Sequence, residues 1–220
     1  MSAYALLPSN ASLPDSHPVG PASCTDDVYA RVLEAIVEQR LAPDSRLNEE
    51  RLGREFGVSR LQMRHALSLL TYQHVITLQP KVGARIASPS NEQICQALHA
   101  RRLTETALIP MACQRAQKPD IDHLHHLIER QRQAYADNQR GRAIRLAGAF
   151  HLHLGHMAGN APLAYFLANL IPMTSLALAR RSDGPQAWQQ QAAMAKAVEN
   201  KDEVTALALL NHYLGEQVPG

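Results

Sequence analysis

Apolar residues recur at helical spacing over most of this chain and shift to short extended runs in one place only. Val28, Val32, Ala35 and Ile36 share one helix face, which predicts a first helix. Pro43 and Asp44 close it in a turn. Asn48 is placed to cap a second helix, with Glu49 and Glu50 suited to the positive end of its dipole. Gly57 stops that helix, because glycine tolerates the left-handed conformation of a C-cap. Ser59 and Gln62 have the S-x-x-Q spacing of a capping box, which predicts a third helix burying Met63, Ala66, Leu67 and Leu70. Residues 75–78 and 84–87 then read as two strands, with Pro80 and Gly83 in the turn between them. A hairpin behind a helix-turn-helix is a wing.

Pro89, Ser90 and Asn91 mark a boundary, and beyond it the pattern holds no convincing strand. Helices are expected near 91–116, 119–139, 142–158, 162–180, 185–199 and 202–216. Pro119, Gly141, Gly159-Asn160 and the turn from Ser182 to Pro185 separate them. The expected fold is therefore mainly α. An N-terminal winged helix-turn-helix occupies 26–88 and a C-terminal all-α bundle occupies 91–218. Residues 1–25, with Pro8, Pro14, Pro18 and Pro21 among serines and glycine, read as a disordered tail.

Composition narrows this picture without naming a function. At 220 residues and 45% apolar content the chain can bury a core. Cys24, Cys95 and Cys113 are widely spaced, which argues against a disulfide framework or zinc ribbon and fits a reducing cytoplasm. No Lys or Arg precedes Arg31, so the N-terminus lacks the basic region of a signal peptide. The charge-free stretch 161–179 is long enough to span a bilayer. Asn169, Pro172, Thr174 and Ser175 favour a buried helix instead, and no membrane partner is expected.

Charge changes the picture more. The whole chain carries a formal +2. Between Ser59 and Ala87, however, the charged residues are Arg60, Arg64, Lys81 and Arg85, with no acid among them. Arg60 and Arg64 lie one turn apart, off the apolar stripe, where a recognition helix presents side chains to the major groove. Their planar forks suit guanine edges and phosphates. Lys81 and Arg85 on the wing suit the DNA backbone or the adjacent minor groove. The alternative, an ordinary solvated face, fits each cation singly better than it fits all four in this order.

These same residues resemble the DNA-binding domain of GntR-type regulators. The resemblance rests on Gly57-Val58-Ser59-Arg60, on Arg64-His65-Ala66-Leu67 and on Val82-Gly83-Ala84-Arg85-Ile86. It implies a DNA-contacting set of Ser59, Arg60, Gln62, Arg64, His65, Lys81, Gly83 and Arg85, with double-stranded operator DNA as partner. Gln62 stands where the family commonly has proline and His65 where it commonly has glutamate, so the operator sequence does not carry over.

The remainder, from about residue 91 to 218, is similar to the FadR-type C-terminal (FCD) domain. The markers are Arg102-x-x-Glu105, Phe150-His151, Ala158-Gly159-Asn160 and Asn211-His212-Tyr213-Leu214. The resemblance implies a homodimer that senses a small organic acid or related metabolite, often through a divalent metal held by D-x-x-x-H and two further histidines. Here His151 and His212 match the first and last histidines, whereas Ala147 holds the aspartate position and Gln191 that of the middle histidine. Two imidazoles alone make a weak divalent site, so no metal cofactor is expected, and His151 and His212 would be its ligands if one bound. The effector set expected instead is Arg102, His151, Gln191 and His212. The alternatives are an intramolecular pair of Arg102 with Glu105 and core histidines satisfied by their neighbours. His153, His156, His123, His125 and His126 are expected to be exposed helix histidines.

Two other classes stay open. One is an acid–base or metal enzyme built on the histidine-rich helices; the other is a structural dimer module with a vestigial sensor. Against an enzyme stand the missing H-E-x-x-H, nucleophile motif, phosphate loop and paired carboxylates.

Overall fold

The computed structural model describes residues 24–42, 45–79, 83–179 and 187–215. The first helix, α1 (Cys24–Val37), buries Val28, Val32, Ala35 and Ile36 on the face that the spacing predicted. In α2 (Glu49–Phe56) the Asn48 side chain accepts from the backbone N–H groups of Glu50 and Arg51, and Gly57 ends the helix at φ 68°. In α3 (Arg60–Tyr72) the Ser59–Gln62 capping box is formed, and Met63, Ala66, Leu67 and Leu70 are all buried. Two strands follow, β1 (Ile76–Gln79) and β2 (Gly83–Ile86), antiparallel with Ile76 opposite Ile86. Val75, expected to open the first strand, instead donates its N–H to Leu70 O at 2.9 Å, which seals the corner between α3 and β1. The expected turns at 43–44 and 182–185, the expected tail up to residue 23, and Pro80 and Lys81 lie outside the described residues, whereas Gly83, expected in the wing turn, is the first residue of β2.

Six helices complete the described chain: α4 (Asn91–Arg115), α5 (Lys118–Ala136), α6 (Arg140–Met157), α7 (Ala161–Ala179), α8 (Ala187–Glu199) and α9 (Glu203–Gly215). Ser90 and Gln93 form a second capping box at the start of α4. The helices close around Leu108, Ile109, Leu124, Phe150, Leu154, Met194, Val198 and Leu210. The charge-free α7 packs against α4 and α6. Among the described residues no helix is long and apolar enough to cross a membrane.

The two cores meet along α1 and α6. Ile144 of α6 is buried in the N-terminal core, beside residues of α1, α2, α3 and the wing. Arg145 Nε donates to Glu34 Oε1 at 2.6 Å, and Gly141 N donates to Glu38 Oε1 at 2.9 Å. Gly141 is needed for the approach: a Cβ there would stand 2.7 Å from Glu38 Cγ and 2.8 Å from the backbone oxygen of Glu34. The hydroxyls of Tyr72 and Tyr165 make a second bridge, from α3 to α7.

Candidate nucleic-acid interface and sensor core

At the N-terminus of α3, Arg60 and Arg64 are both exposed and both reach one carboxylate. Arg60 Nε donates to Glu49 Oε2 at 3.1 Å, and Arg64 Nη2 donates to the same oxygen at 3.0 Å. The hydrogen bonds from Arg64 and Arg60 hold the Glu49 carboxyl below its ordinary range. Sequence reading missed Glu49, because the acid-free window starts at Ser59 and Glu49 arrives from the preceding helix. The carboxylate sets the two forks side by side and leaves them open to solvent. Ser59 and His65 are exposed, and Gln62 is half-buried with its Oε1 accepting from Ser59 N and Oγ. A cleft of about 830 Å³ runs along this face, lined in part by Arg46, Arg60, Arg64, Ser68 and Tyr72 on one side and Leu78 and Gly83 of the wing on the other. Arg85 sits half-buried on β2, bridged to Arg46.

The second polar cluster is buried. The apolar stripe of α4 runs Ile94, Ala97, Leu98, Arg101, Glu105, Leu108, so the inward arginine is Arg101 and the neighbouring Arg102 lies off the stripe, half-buried. Arg101 Nε donates to Glu105 Oε1 at 2.6 Å, and Arg101 Nη1 donates to Thr174 Oγ1 of α7 at 3.0 Å. The pair considered between Arg102 and Glu105 is thus made by Arg101, whose i, i+4 spacing puts both groups on the inward face.

His151 of α6 is fully buried, with Nδ1 2.5 Å from Glu105 Oε2. Burial works against the charge on Glu105, but His151 and Arg101 together hold its carboxyl down at about 2. Burial also disfavours the imidazolium, so the His151 pKa falls despite the adjacent carboxylate. A neutral ring beside an accepting carboxylate carries its hydrogen on Nδ1, which leaves Nε2 an acceptor.

Gln191 of α8 is buried, and its Nε2 donates to Ala147 O at 3.1 Å. The two positions that lack the family's metal ligands therefore touch one another, one turn from His151. His212 is exposed on α9, and its neighbour Tyr213 stacks on His151 with ring centroids 4.8 Å apart. The structure thus brings His151 together with Arg101, Glu105 and Tyr213, holds Gln191 on the backbone of Ala147 one turn away, and leaves Arg102 and His212 towards the surface. The side chains do not fit a divalent-metal shell. Ala147 offers only a backbone oxygen, the Glu105 carboxylate is shared between Arg101 and His151, and His212 faces solvent. Arg101 Nη2, His151 Nε2 and Gln191 Oε1 are buried with no hydrogen-bond partner among the described residues. Of the remaining histidines, His123, His125, His126 and His156 are exposed, and His153 is half-buried against His123 at 4.4 Å between centroids.

An open pair of arginines on the helix before a wing, joined to a helical bundle with a polar centre, defines a DNA-binding transcriptional regulator with an attached sensor domain. The family model described as bacterial regulatory proteins, gntR family, matches residues 24–86, and that of the FCD domain matches residues 96–216. The chain belongs to the GntR family of bacterial regulatory proteins, in its FCD-domain branch. Among solved structures it is similar to E. coli McbR/YncC, with a TM-score of 0.72 and 18% identity over 88% of this chain and 94% of that one. It is also similar to a putative transcriptional regulator GntR from Rhodococcus sp. RHA1, with a TM-score of 0.68 and 18% identity over 87% of this chain and 94% of that one. At these identities the likeness is one of fold. A curated relative, an uncharacterized HTH-type transcriptional regulator in an unstable DNA locus of Streptomyces ambofaciens, is 28% identical over 79 residues. That match spans 36% of this chain and 34% of the relative, about a third of its length.

Proposed function

We propose that this regulator binds operator DNA as a homodimer in the cytoplasm, reading bases with α3 and gripping phosphates with the wing, and that a small metabolite in the helical bundle controls it. The regulator itself performs no chemistry. The observation that carries this reading is the exposed Arg60–Arg64 pair, set side by side by Glu49 at the start of α3. A single α3 covers a short half-site, and two half-sites about one helical turn apart call for two protomers. Ser59, Gln62 and His65 lie within reach of the same groove edge. Lys81, Gly83 and Arg85 belong to the wing contacts.

The effector set proposed is His151 and Gln191 with Arg101. Arg102 and His212 stand nearer the surface as secondary members. Arg101 Nη2 would meet an acceptor atom of the effector, while His151 Nε2 and Gln191 Oε1 would meet its donors. A hydroxylated organic acid or a related metabolite offers both kinds of atom. The test is a gel-shift with the DNA upstream of the gene, repeated with Arg64→Ala. Specific retardation that the variant abolishes supports the reading, and equal retardation by both proteins overturns it.

A further inference from the structure

The contact between α1 and the bundle carries a second feature. Beside the Ile144 joint lies a cleft of about 490 Å³, walled by α1 on one side and by α5 and α6 on the other. Five arginines line it: Arg31, Arg40, Arg130, Arg142 and Arg145. Three of them are matched. Arg145 pairs with Glu34 at 2.6 Å, Arg40 with Glu38 at 2.8 Å, and Arg31 lies 3.7 Å from Asp27. The other two are not. Among the described residues Arg142 donates only to the neutral Gln139 Oε1 at 2.9 Å, and Arg130 has no hydrogen bond or ion pair. Glu38 cannot turn to them without releasing Gly141 N.

We propose that this cleft is an anion site taking the diphosphate group of a small molecule. Two unmatched guanidiniums, one from α5 and one from α6, offer the planar forks that bind phosphate oxygens in pairs. The volume falls within the range of small-molecule pockets, and its charged walls suit a phosphate better than an apolar ligand. A bound diphosphate would touch α1, which supports α3, and α5 and α6, which belong to the bundle. It would therefore stabilise one relative setting of the two units, and any effect on DNA affinity would be matched by an equal effect of DNA on diphosphate affinity.

The first experiment needs no DNA, so it stands apart from the operator reading. Inorganic pyrophosphate is titrated into the full chain by calorimetry, with melting curves recorded at constant ionic strength. One site per chain is expected, with a rise in Tm of about 5 °C at a hundredfold excess over Kd. The Arg130→Gln/Arg142→Gln double variant, altered at one exposed and one half-buried position, should bind at least about tenfold more weakly and lose that rise. Adenosine diphosphate in place of pyrophosphate identifies the source: tighter binding points to a nucleotide, and equal binding shows that the diphosphate alone suffices. Both results support the site. No heat and no shift, an equal shift from sulfate, or an unchanged response in the double variant overturns it. So does a tenfold loss of operator affinity in the double variant without pyrophosphate, which would assign the arginines to the DNA backbone.

Discussion

The molecule uses one arrangement twice, a glutamate bridging two nitrogen bases, once in water and once in the core. Glu49 lies between Arg60 and Arg64, whose side chains are 65% and 53% exposed. Glu105 lies between Arg101 and His151, at 1% and 0%. In water such a pair contributes little and exchanges readily, so a DNA phosphate or guanine edge can replace Glu49 at small cost. In the core the same contacts cannot be exchanged for solvent, and removing one partner strands the others. The surface copy is therefore a contact held ready for substitution, and the buried copy fixes the centre of the bundle.

The largest effect should come from breaking the buried copy. Glu105→Ala leaves the buried Arg101 charge without its counter-ion and the His151 Nδ1 hydrogen without an acceptor, and urea unfolding should show a loss of about 3–5 kcal/mol. A loss below about 1 kcal/mol would mean that the two carboxylates are equivalent after all. The surface copy should behave oppositely. Arg64→Ala should leave the melting curve in place while weakening operator binding about tenfold to a hundredfold, measured by fluorescence anisotropy.

Acid provides a third distinction. The His151 pKa is depressed in the folded state, so the unfolded chain takes up the proton first and stability is lost as pH falls below the ordinary histidine range. The Glu105 carboxyl, held at about 2, adds a further loss between the ordinary carboxylate range and that value. Unfolding free energies from denaturant titrations between pH 7.5 and 5 should fall by up to about 1.4 kcal/mol per pH unit for each such proton, and His151→Gln should remove part of the slope. Half-buried His153, also depressed by burial, contributes in the same direction. A His151→Gln slope equal to the wild-type slope would show that the buried imidazole is not involved. The smallest effect is the most diagnostic of exchange. Glu49→Gln should raise operator affinity a few-fold at low salt, because the two arginines no longer have a competing anion, and the gain should fade as salt rises. Weaker binding would make Glu49 a required positioning group.

Most of the fold was legible because its signals are local. The Asn48 cap, the Gly57 stop, the Ser59–Gln62 box and the stripe from Met63 to Leu70 each involve residues within one or two turns. The site residues were legible only where one helix decided them. Arg60 and Arg64 follow from a single face, but their link to Glu49 depends on how α2 crosses α3. The buried face through Ile94, Leu98 and Leu108 carries Arg101 and Glu105 inward, whereas the Arg102-x-x-Glu105 spacing singles out Arg102. Tyr213 displaced His212 for a comparable reason, since only the packing of α9 on α4 and α8 decides which of two adjacent residues faces His151. The contact of Gln191 with Ala147 spans 44 positions, and no local pattern announces it.

Ile144 carries a consequence for how such proteins are cut and recombined. Its side chain is 5% exposed and sits within the core of the N-terminal unit, although it is encoded more than fifty positions after the wing. A fragment ending near residue 88 would fold around an unfilled notch with apolar walls, inviting aggregation or a foreign side chain. A chimaera that grafts this DNA-reading unit onto another helical bundle inherits the same notch unless the new bundle offers an isoleucine-sized residue at that place and a glycine one turn before it. The boundary that a gene-level map draws through the linker is thus not the boundary at which the molecule can be exchanged.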